Sequence, residues 1–300
     1  MSPSRPTPAA PRADRAAIIA LLIVQVIFAT LHVVGKVVLA EIPALAFAAS
    51  RVLIAAPLLA VMAWRHDRVI PTGRDWRALA VLGLLGIFAN QVLYLVGLRF
   101  TTATNAAILM PSIPVFTVAA AALLGAERLT ARRVAGVALA AVGALVLLDP
   151  ARIELGEKTS LGNLLVAGNC LCYAFYLVLL RPLFARLPWR TVVAGSFVTG
   201  GAATLLVSLP TLARVDWPEV HGATWLALAY VGVFPTFGTY ALNTWAVRRS
   251  SPSVAAAFTT LQPMFTAVLA AFFLHERFGW LQAAGFGLIV AGLVIVSRKN

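Results

Sequence analysis

The chain has 300 residues, of which 61% are hydrophobic and 12% charged, and its mean hydropathy is +0.90. A soluble protein is about 25% charged, and polar side chains this scarce would not cover a water-exposed surface of this size. Together with only two cysteines, this composition excludes a soluble globular protein, a disordered chain and a disulfide scaffold, and it leaves a polytopic membrane protein with a net charge of +13.

The apolar segments are long enough for ten membrane-spanning helices, because each crossing needs about 20 mainly apolar residues. In chain order the predicted spans are 16–40, 44–64, 76–98, 102–124, 132–148, 160–180, 190–209, 221–245, 253–274 and 279–297. The connections are too short for a soluble domain. The first span follows a basic stretch, as in a signal peptide, but its length exceeds the hydrophobic region of such a peptide. We interpret it as a retained helix.

The chain also contains an internal repeat. Residues 99–148 and 248–297, at an offset of 149, share 14 identities in 50 positions. The paired residues include Pro114 and Pro263, Glu127 and Glu276, Gly136 and Gly285, and Gly143 and Gly292. The offset predicts one transmembrane domain with a tail of residues 1–15 and two five-helix repeats, 16–149 and 150–300. Because five is odd, the repeats are inverted in the membrane, an arrangement typical of alternating-access carriers.

Charge in the connecting segments predicts the orientation of these helices. With a cytoplasmic N-terminus, seventeen lysines and arginines lie in inner segments and five in outer segments. Positive residues in short loops resist translocation. We therefore predict an inner (cytoplasmic) membrane protein with both termini in the cytoplasm. The positive charge then needs no nucleic acid partner, and its expected contacts are membrane lipids.

Polar side chains recur at helical spacing within three spans. They are Asn90, Gln91 and Tyr94 in the third span, Asn169, Tyr173 and Tyr176 in the sixth, and Thr236, Tyr240 and Asn243 in the eighth. The offset maps Gln91 onto Tyr240 and Tyr94 onto Asn243. Polar groups are costly in a membrane and tend to face a cavity or another helix. Our hypothesis is that these stripes line a central cavity for a small-molecule substrate. The alternative is hydrogen bonding between helices without a substrate.

The first two spans contain three ionisable residues with open roles. His32 lies deep in the first span and can exchange a proton, so it is either a substrate or pH-linked residue or a packing histidine. Lys36 lies near the outer end, and we expect its amine to reach the headgroups. For Arg51 we favour a structural ion pair or contacts with carbonyl groups over binding of a substrate carboxylate.

Prolines and glycines carry further predictions. Pro111 and Pro114 interrupt the fourth span, and Pro263 interrupts the ninth. Beside Pro263 lies Gln262, whose amide we predict to contact a polar group of the substrate. Each proline frees a carbonyl and bends the helix, which shapes the bundle and offers an acceptor to a substrate amine. The repeated glycines of the fifth and tenth spans permit close packing, as a scaffold or as an oligomer surface. Whether the protein is a monomer or a homodimer stays open.

Several segments resemble the EamA-type branch of the drug/metabolite transporter superfamily. They are the first span with Lys36, the sequence S-R-V-L-I-A-A from Ser50 to Ala56, G-A-E-R-L from Gly125 to Leu129, and L-H-E-R-F from Leu274 to Phe278. The resemblance covers almost the whole chain after residue 15. It implies ten helices in two repeats and export of amino acids, including aromatic ones, or of related metabolites.

The residues also separate the competing function classes. An intramembrane enzyme is disfavoured because no nucleophile–base, paired-carboxylate or metal-binding motif is present, so we predict no catalytic residue, metal or cofactor. A sugar-phosphate or nucleotide-sugar exchanger needs more cavity-facing cations than Lys36 and Arg51. A cationic multidrug exporter needs a counter-charge, yet every carboxylate lies in a loop or at a helix end. We therefore predict facilitated movement of neutral or zwitterionic solutes, with His32 as the one deep titratable group.

Overall fold

The computed structural model describes residues 14–97, 99–101, 103–127, 130–148, 156–265 and 280–297, and all regular structure within these ranges is helical. In chain order the helices are α1 (Arg15–Glu41), α2 (Ala44–His66), α3 (Gly73–Gly97), α4 (Ala103–Leu109), α5 (Ser112–Leu123), α6 (Ala131–Leu148), α7 (Glu157–Leu183), α8 (Trp189–Leu212), α9 (Gly222–Arg249), α10 (Pro252–Phe258) and α11 (Trp280–Ser297). A short 3₁₀ turn, Trp217–Glu219, precedes α9.

The helices have the length and surface of a membrane bundle. Five of them, α2, α3, α7, α8 and α9, are long and apolar enough to cross a bilayer. Large apolar side chains lie on the outer surface, including Leu123, Leu226 and Trp280, which are 82%, 75% and 81% exposed. Apolar surface on this scale is stable when another apolar phase covers it.

Helix starts follow local capping chemistry. Asp14 accepts the backbone N–H of Ala17 at 2.7 Å and caps α1. Thr72 and Asp75 form a capping box at the start of α3, with each side chain accepting the other's backbone N–H. Such caps satisfy the N–H groups that have no partner inside the helix.

The predicted fourth span is divided into α4 and α5, with Pro111 between them. The predicted interruption is therefore present. The carbonyl of Leu109 accepts the Ser112 hydroxyl at 2.7 Å and the Cys170 thiol at 3.7 Å. The carbonyls that Pro111 and Pro114 free lie four residues earlier, on Ala107 and Met110. The Met110 carbonyl accepts the backbone N–H of Ile113 at 3.0 Å, and binding of a substrate amine to a freed carbonyl stays a prediction. Pro263 and Gln262 lie in a helical stretch after α10, over 261–265, and the rest of the predicted ninth span lies outside the described residues.

The internal repeat is visible in the helices. At the offset of 149, the bounds of α4 correspond to those of α10, and the bounds of α6 to those of α11. Helix α3 contains a π-helical segment, Leu84–Ala89, and α9 contains one over Gly232–Gly238, at corresponding positions within one residue. Both segments interrupt their helices in the middle of the bundle.

Glycines bring α6 and α11 together. A Cβ atom added at Gly136 would lie 3.0 Å from the Gly292 carbonyl oxygen, and one added at Gly143 would lie 2.8 Å from the Gly285 carbonyl oxygen. The two backbones approach closely only because no side chain separates them. Of the two predicted roles, the scaffold is the one present, because these glycines face each other within one chain.

Candidate functional site

Aromatic rings from several helices meet near the middle of the bundle. Tyr240 of α9 packs edge-on against Phe197 of α8, with ring centroids 4.8 Å apart, and against Phe28 of α1 at 6.4 Å. Its hydroxyl donates to the carbonyl oxygen of Gly86 in α3 at 3.4 Å. Tyr240 therefore connects three helices of the bundle to its own.

The π-helical segment of α3 shapes this region. Gly86 lies within Leu84–Ala89, and a Cβ atom added there would lie 2.2 Å from the Tyr176 ring. Only glycine permits this ring to sit on the backbone. A π segment widens one turn of a helix and is common at functional sites. The Tyr176 ring and the Tyr240 hydroxyl both contact the widened turn.

Tyr176 also stacks on Tyr173, with ring centroids 5.9 Å apart and planes 25° apart. We call Tyr173, Tyr176 and Tyr240 the tyrosine cluster. The Asn243 amide of α9 donates to the Tyr173 hydroxyl at 3.3 Å. The predicted stripes of α7 and α9 therefore lie side by side.

The stripe of α3 joins them through an asparagine. The Asn169 amide of α7 donates to the backbone carbonyl of Asn90 at 2.5 Å. This bond and the one from Asn243 are the interhelical hydrogen bonds that we considered as the alternative to a cavity. They connect helices, but they leave other polar groups of the stripes unused.

Gln91 is the clearest of these groups. Its side chain is buried, yet neither its amide oxygen nor its amide nitrogen has a hydrogen-bond partner within the described ranges. The amide oxygen of Gln25, buried on α1, is in the same condition. Leaving a buried polar group unpaired costs about 1–3 kcal/mol. In the described part of the chain, these amide groups therefore keep unused hydrogen-bonding capacity.

Gln25 is not among the residues predicted from the sequence. A signal was available, because Gln25 lies seven residues before His32 and two helical turns place both on one face. The His32 and Lys36 side chains lie outside the described residues. Tyr94 is partly buried on α3, and Gln262 is partly buried and makes a polar contact.

Arg51 lies beside the tyrosine cluster. Its Nε donates to the Thr236 hydroxyl at 3.0 Å, and its guanidinium lies 5.6 Å from the centre of the Phe47 ring. Thr236 lies within the π segment of α9, and its hydroxyl donates at 2.8 Å to the backbone carbonyl of Val231, the residue before that segment. The ion pair that we favoured for Arg51 does not occur with any acidic residue in the described part of the chain.

Charged contacts hold one end of the bundle, which we call the Asp14 end. Asp14 accepts from Arg249 at 3.0 Å, and Asp75 pairs with Arg186. The Asp67 side chain, 5% exposed, accepts from Arg190 at 3.3 Å and from the backbone and hydroxyl of Thr191 at 3.1 and 3.0 Å. Each contact joins the first half of the chain to the second half.

Glu127 makes a further contact at the Asp14 end. Its carboxylate accepts from Arg133 at 2.6 Å and from the backbone N–H of Ser253, at the start of α10, at 3.2 Å. The carboxylate is almost fully buried. It connects the end of α5 to the second half of the chain.

Within the described ranges, fewer contacts of this kind lie at the opposite end, which we call the Glu41 end. Glu41 accepts from the backbone N–H of His221 at 2.9 Å and lies 3.1 Å from its Nδ1. The backbone hydrogen bond lowers the pKa of the Glu41 carboxyl, which lies beyond the predicted first span. Thr101 donates to Asn163 at 2.6 Å. At the offset of 149, Glu41 corresponds to Arg190, and Asp14 corresponds to Asn163. In each pair, one residue makes a contact at the Asp14 end and the other makes one at the Glu41 end.

Comparison with known proteins agrees with this architecture. The model of the EamA-like transporter family matches the chain twice, over residues 15–149 and 160–298. A solved crystal structure has a TM-score of 0.77 and 22% identity, over 94% of this chain and 96% of that one, which shows a shared fold.

Curated relatives are similar over most of their length. An uncharacterized transporter of Archaeoglobus fulgidus is 28% identical over 93% of this chain and 96% of its own. A probable terminal-alkyne amino-acid exporter of Streptantibioticus cattleyicolor is 29% identical over 84% of this chain and 83% of its own. The Arabidopsis thaliana protein WALLS ARE THIN 1 is 28% identical over 93% and 81%. With its apolar helices and two family matches, this chain is a multi-pass membrane protein and belongs to the EamA-like transporter family.

Proposed function

We propose that the protein exports neutral or zwitterionic amino acids, aromatic ones included, from the cytoplasm by alternating access. The observation that carries this proposal is the buried Gln91 amide, unpartnered in the described ranges and on the helix whose π segment meets the tyrosine cluster. The similarity to the probable terminal-alkyne amino-acid exporter of Streptantibioticus cattleyicolor supports the substrate class.

The chemistry of the site suits such a solute. Ligand sites commonly combine apolar walls with a few placed polar groups. The tyrosine cluster and Phe28 supply aromatic walls for an apolar side chain. The amides of Gln91 and Gln25 supply a donor and acceptors, and the acceptors suit a substrate ammonium group.

The proposal includes ten membrane-spanning helices in two inverted repeats, 16–149 and 150–300. The two family matches, the matching bounds of α4 and α10 and of α6 and α11, and the two π segments support the repeat. Related contacts at opposite ends of the bundle support the inversion. In inverted repeats the substrate site lies where the halves meet.

We propose that the protein lies in the inner (cytoplasmic) membrane with the Asp14 end facing the cytoplasm. This is the end with the greater share of lysine and arginine, as the positive-inside rule requires. The four sets of charged contacts then form a closed cytoplasmic gate between the halves, and the Glu41 end forms the outer gate.

Energy coupling follows from the position of acidic groups. The described carboxylates lie at helix ends or in connections. Five of them, Asp14, Glu41, Asp67, Asp75 and Glu127, form ion pairs that hold the two gates. A proton-coupled carrier usually has a titratable group in its path. We therefore propose facilitated movement down the solute gradient.

The test is uptake into proteoliposomes of labelled L-phenylalanine, beside glucose 6-phosphate and tetraphenylphosphonium as probes of the rival substrate classes. We expect saturable phenylalanine counterflow that L-tryptophan inhibits, with no accumulation when a pH gradient is imposed. Saturable transport of either rival probe without phenylalanine flux would contradict the substrate class. Proton-driven accumulation that His32→Ala abolishes would contradict facilitated movement.

A further inference from the structure

Arg51 is a cation within the apolar bundle, and no acidic residue among those that the structure describes pairs with its charge. It is the eighth residue of α2, so it lies about 10 Å along the helix axis from the helix start, at about 1.5 Å per residue. A hydroxyl at 3.0 Å and an aromatic ring at 5.6 Å are its contacts within the described residues. Neither group carries a negative charge.

These contacts leave most of the guanidinium unused. An arginine has five N–H donors in a planar fork, and only the Nε–H donates to Thr236. A cation–π contact is weaker than an ion pair and does not replace a counter-charge. Charged side chains within membrane spans are costly and usually mark substrate or ion pathways.

The geometry also connects Arg51 to the tyrosine cluster. Thr236 lies four residues before Tyr240 on α9, so the two side chains share one face of that helix. The Nε contact with Thr236 fixes the orientation of the guanidinium, and the two terminal nitrogens have no hydrogen-bond partner in the described part of the chain. Those nitrogens have the spacing that binds both oxygens of a carboxylate.

We propose that Arg51 binds the carboxylate of the transported amino acid through its two terminal nitrogens, with Thr236 as the residue that positions it. This inference rests on the proposed function and specifies the substrate as a molecule with a free carboxylate. A zwitterion then supplies the negative charge for Arg51, while its ammonium group binds the acceptors of the glutamine amides and its side chain packs on the tyrosine cluster.

The test compares L-phenylalanine with L-phenylalanine amide, which differ only in the carboxylate. For each compound, inhibition of labelled L-phenylalanine counterflow and thermal stabilisation of the purified full chain are measured. The wild-type protein is expected to prefer phenylalanine at least tenfold. Arg51→Gln is expected to lose that preference through weaker phenylalanine binding, with amide binding unchanged. Arg51→Lys, which keeps the charge but not the fork, is expected to retain part of it.

Matched variants separate this role from a structural one. Arg99→Gln removes an exposed arginine beyond the end of α3. It is expected to change neither the inhibition constant of phenylalanine nor that of its amide. Thr236→Val is expected to weaken phenylalanine binding more than amide binding. If Arg51→Gln does not fold, the test is the ratio of the inhibition constants of phenylalanine and its amide in Arg51→Lys. A reduced preference for phenylalanine in that variant supports the inference. An unchanged preference in a folded Arg51 variant overturns the inference, whereas absence of phenylalanine transport by the wild-type protein overturns the proposed function itself.

Discussion

At the scale of single residues, the site differs from an ordinary bundle interior in its unsatisfied amides. Buried polar groups in folded proteins nearly all have partners. Asn169 and Asn243 follow that rule and connect helices, whereas Gln91 and Gln25 do not. Residue spacing assigns the same role to every polar residue of a stripe. It cannot show which amide forms a hydrogen bond with a neighbouring helix.

Gln91→Leu separates the binding role from a structural one. Removing an amide that has no partner in the described residues is expected to leave the melting temperature unchanged or to raise it, since its desolvation cost disappears. Phenylalanine counterflow is expected to fall at least tenfold. Ser208→Ala is the control, because it removes a similarly unpartnered hydroxyl from α8 near the Glu41 end and should leave transport intact. Full transport by Gln91→Leu would contradict the site.

Gly86→Ala tests the contact between the π segment and the tyrosine cluster. The added methyl group would meet the Tyr176 ring at 2.2 Å, so the ring or the backbone must move. We expect a loss of about 1–3 kcal/mol of stability, the usual cost of overpacking, together with reduced transport. Thermal unfolding in detergent measures the first effect. Gly222→Ala is the control, since no atom lies within 4 Å of its added Cβ. Equal melting temperatures for the two variants would contradict the contact.

At the scale of helices, the hydrophobic pattern predicts the positions and approximate bounds of several helices. The first, second, sixth and seventh predicted spans agree with helices α1, α2, α7 and α8 to within a few residues at each end. The division of the fourth span follows from Pro111, whose chemistry is visible in the sequence. The π segments could not be predicted, because a single widened turn hardly changes the periodicity of apolar residues. They became recognisable as a pair only through their positions in the two repeats.

The glycine contact between α6 and α11 carries a prediction at this scale. Gly292→Val is expected to separate the two helices, because a Cβ there already lies 2.6 Å from the Gly136 carbonyl oxygen. We expect a fall in stability of about 1–3 kcal/mol or more. Gly287→Val on the same helix is the control, since its Cβ meets nothing within 4 Å. If the glycine face served an oligomer instead, Gly292→Val would change the molecular mass in detergent without changing the melting temperature.

At the scale of the whole molecule, the repeat and the charge distribution were both accessible from the sequence. The contacts between the halves were not, because residue spacing does not show which partners meet across a bundle. Asp67 illustrates the difference. It is one of several loop carboxylates in the sequence, but in the structure its side chain is buried and accepts three hydrogen bonds from the second half of the chain.

If the two ends are alternating gates, weakening them must shift the protein in opposite directions. A two-state equilibrium moves by the difference in free energy between its states, and a charged hydrogen bond is worth about 1.5–3 kcal/mol when buried. Asp67→Ala removes such bonds at the Asp14 end, and we expect it to raise access from the cytoplasm about tenfold. Glu41→Ala is expected to raise access from outside by a smaller factor, because that contact is solvent-exposed.

The measurement is labelling of a cysteine at position 94 (Tyr94→Cys) by an impermeant maleimide, in a chain whose Cys170 and Cys172 are replaced by alanine. Right-side-out and inside-out vesicles report the two directions of access. Asp216→Ala is the matched control, because Asp216 corresponds to Asp67 at the offset of 149 but is exposed. It should change neither rate. Labelling that rises from the same face in Asp67→Ala and Glu41→Ala would contradict opposing gates, because weakening gates at opposite ends must favour opposite states.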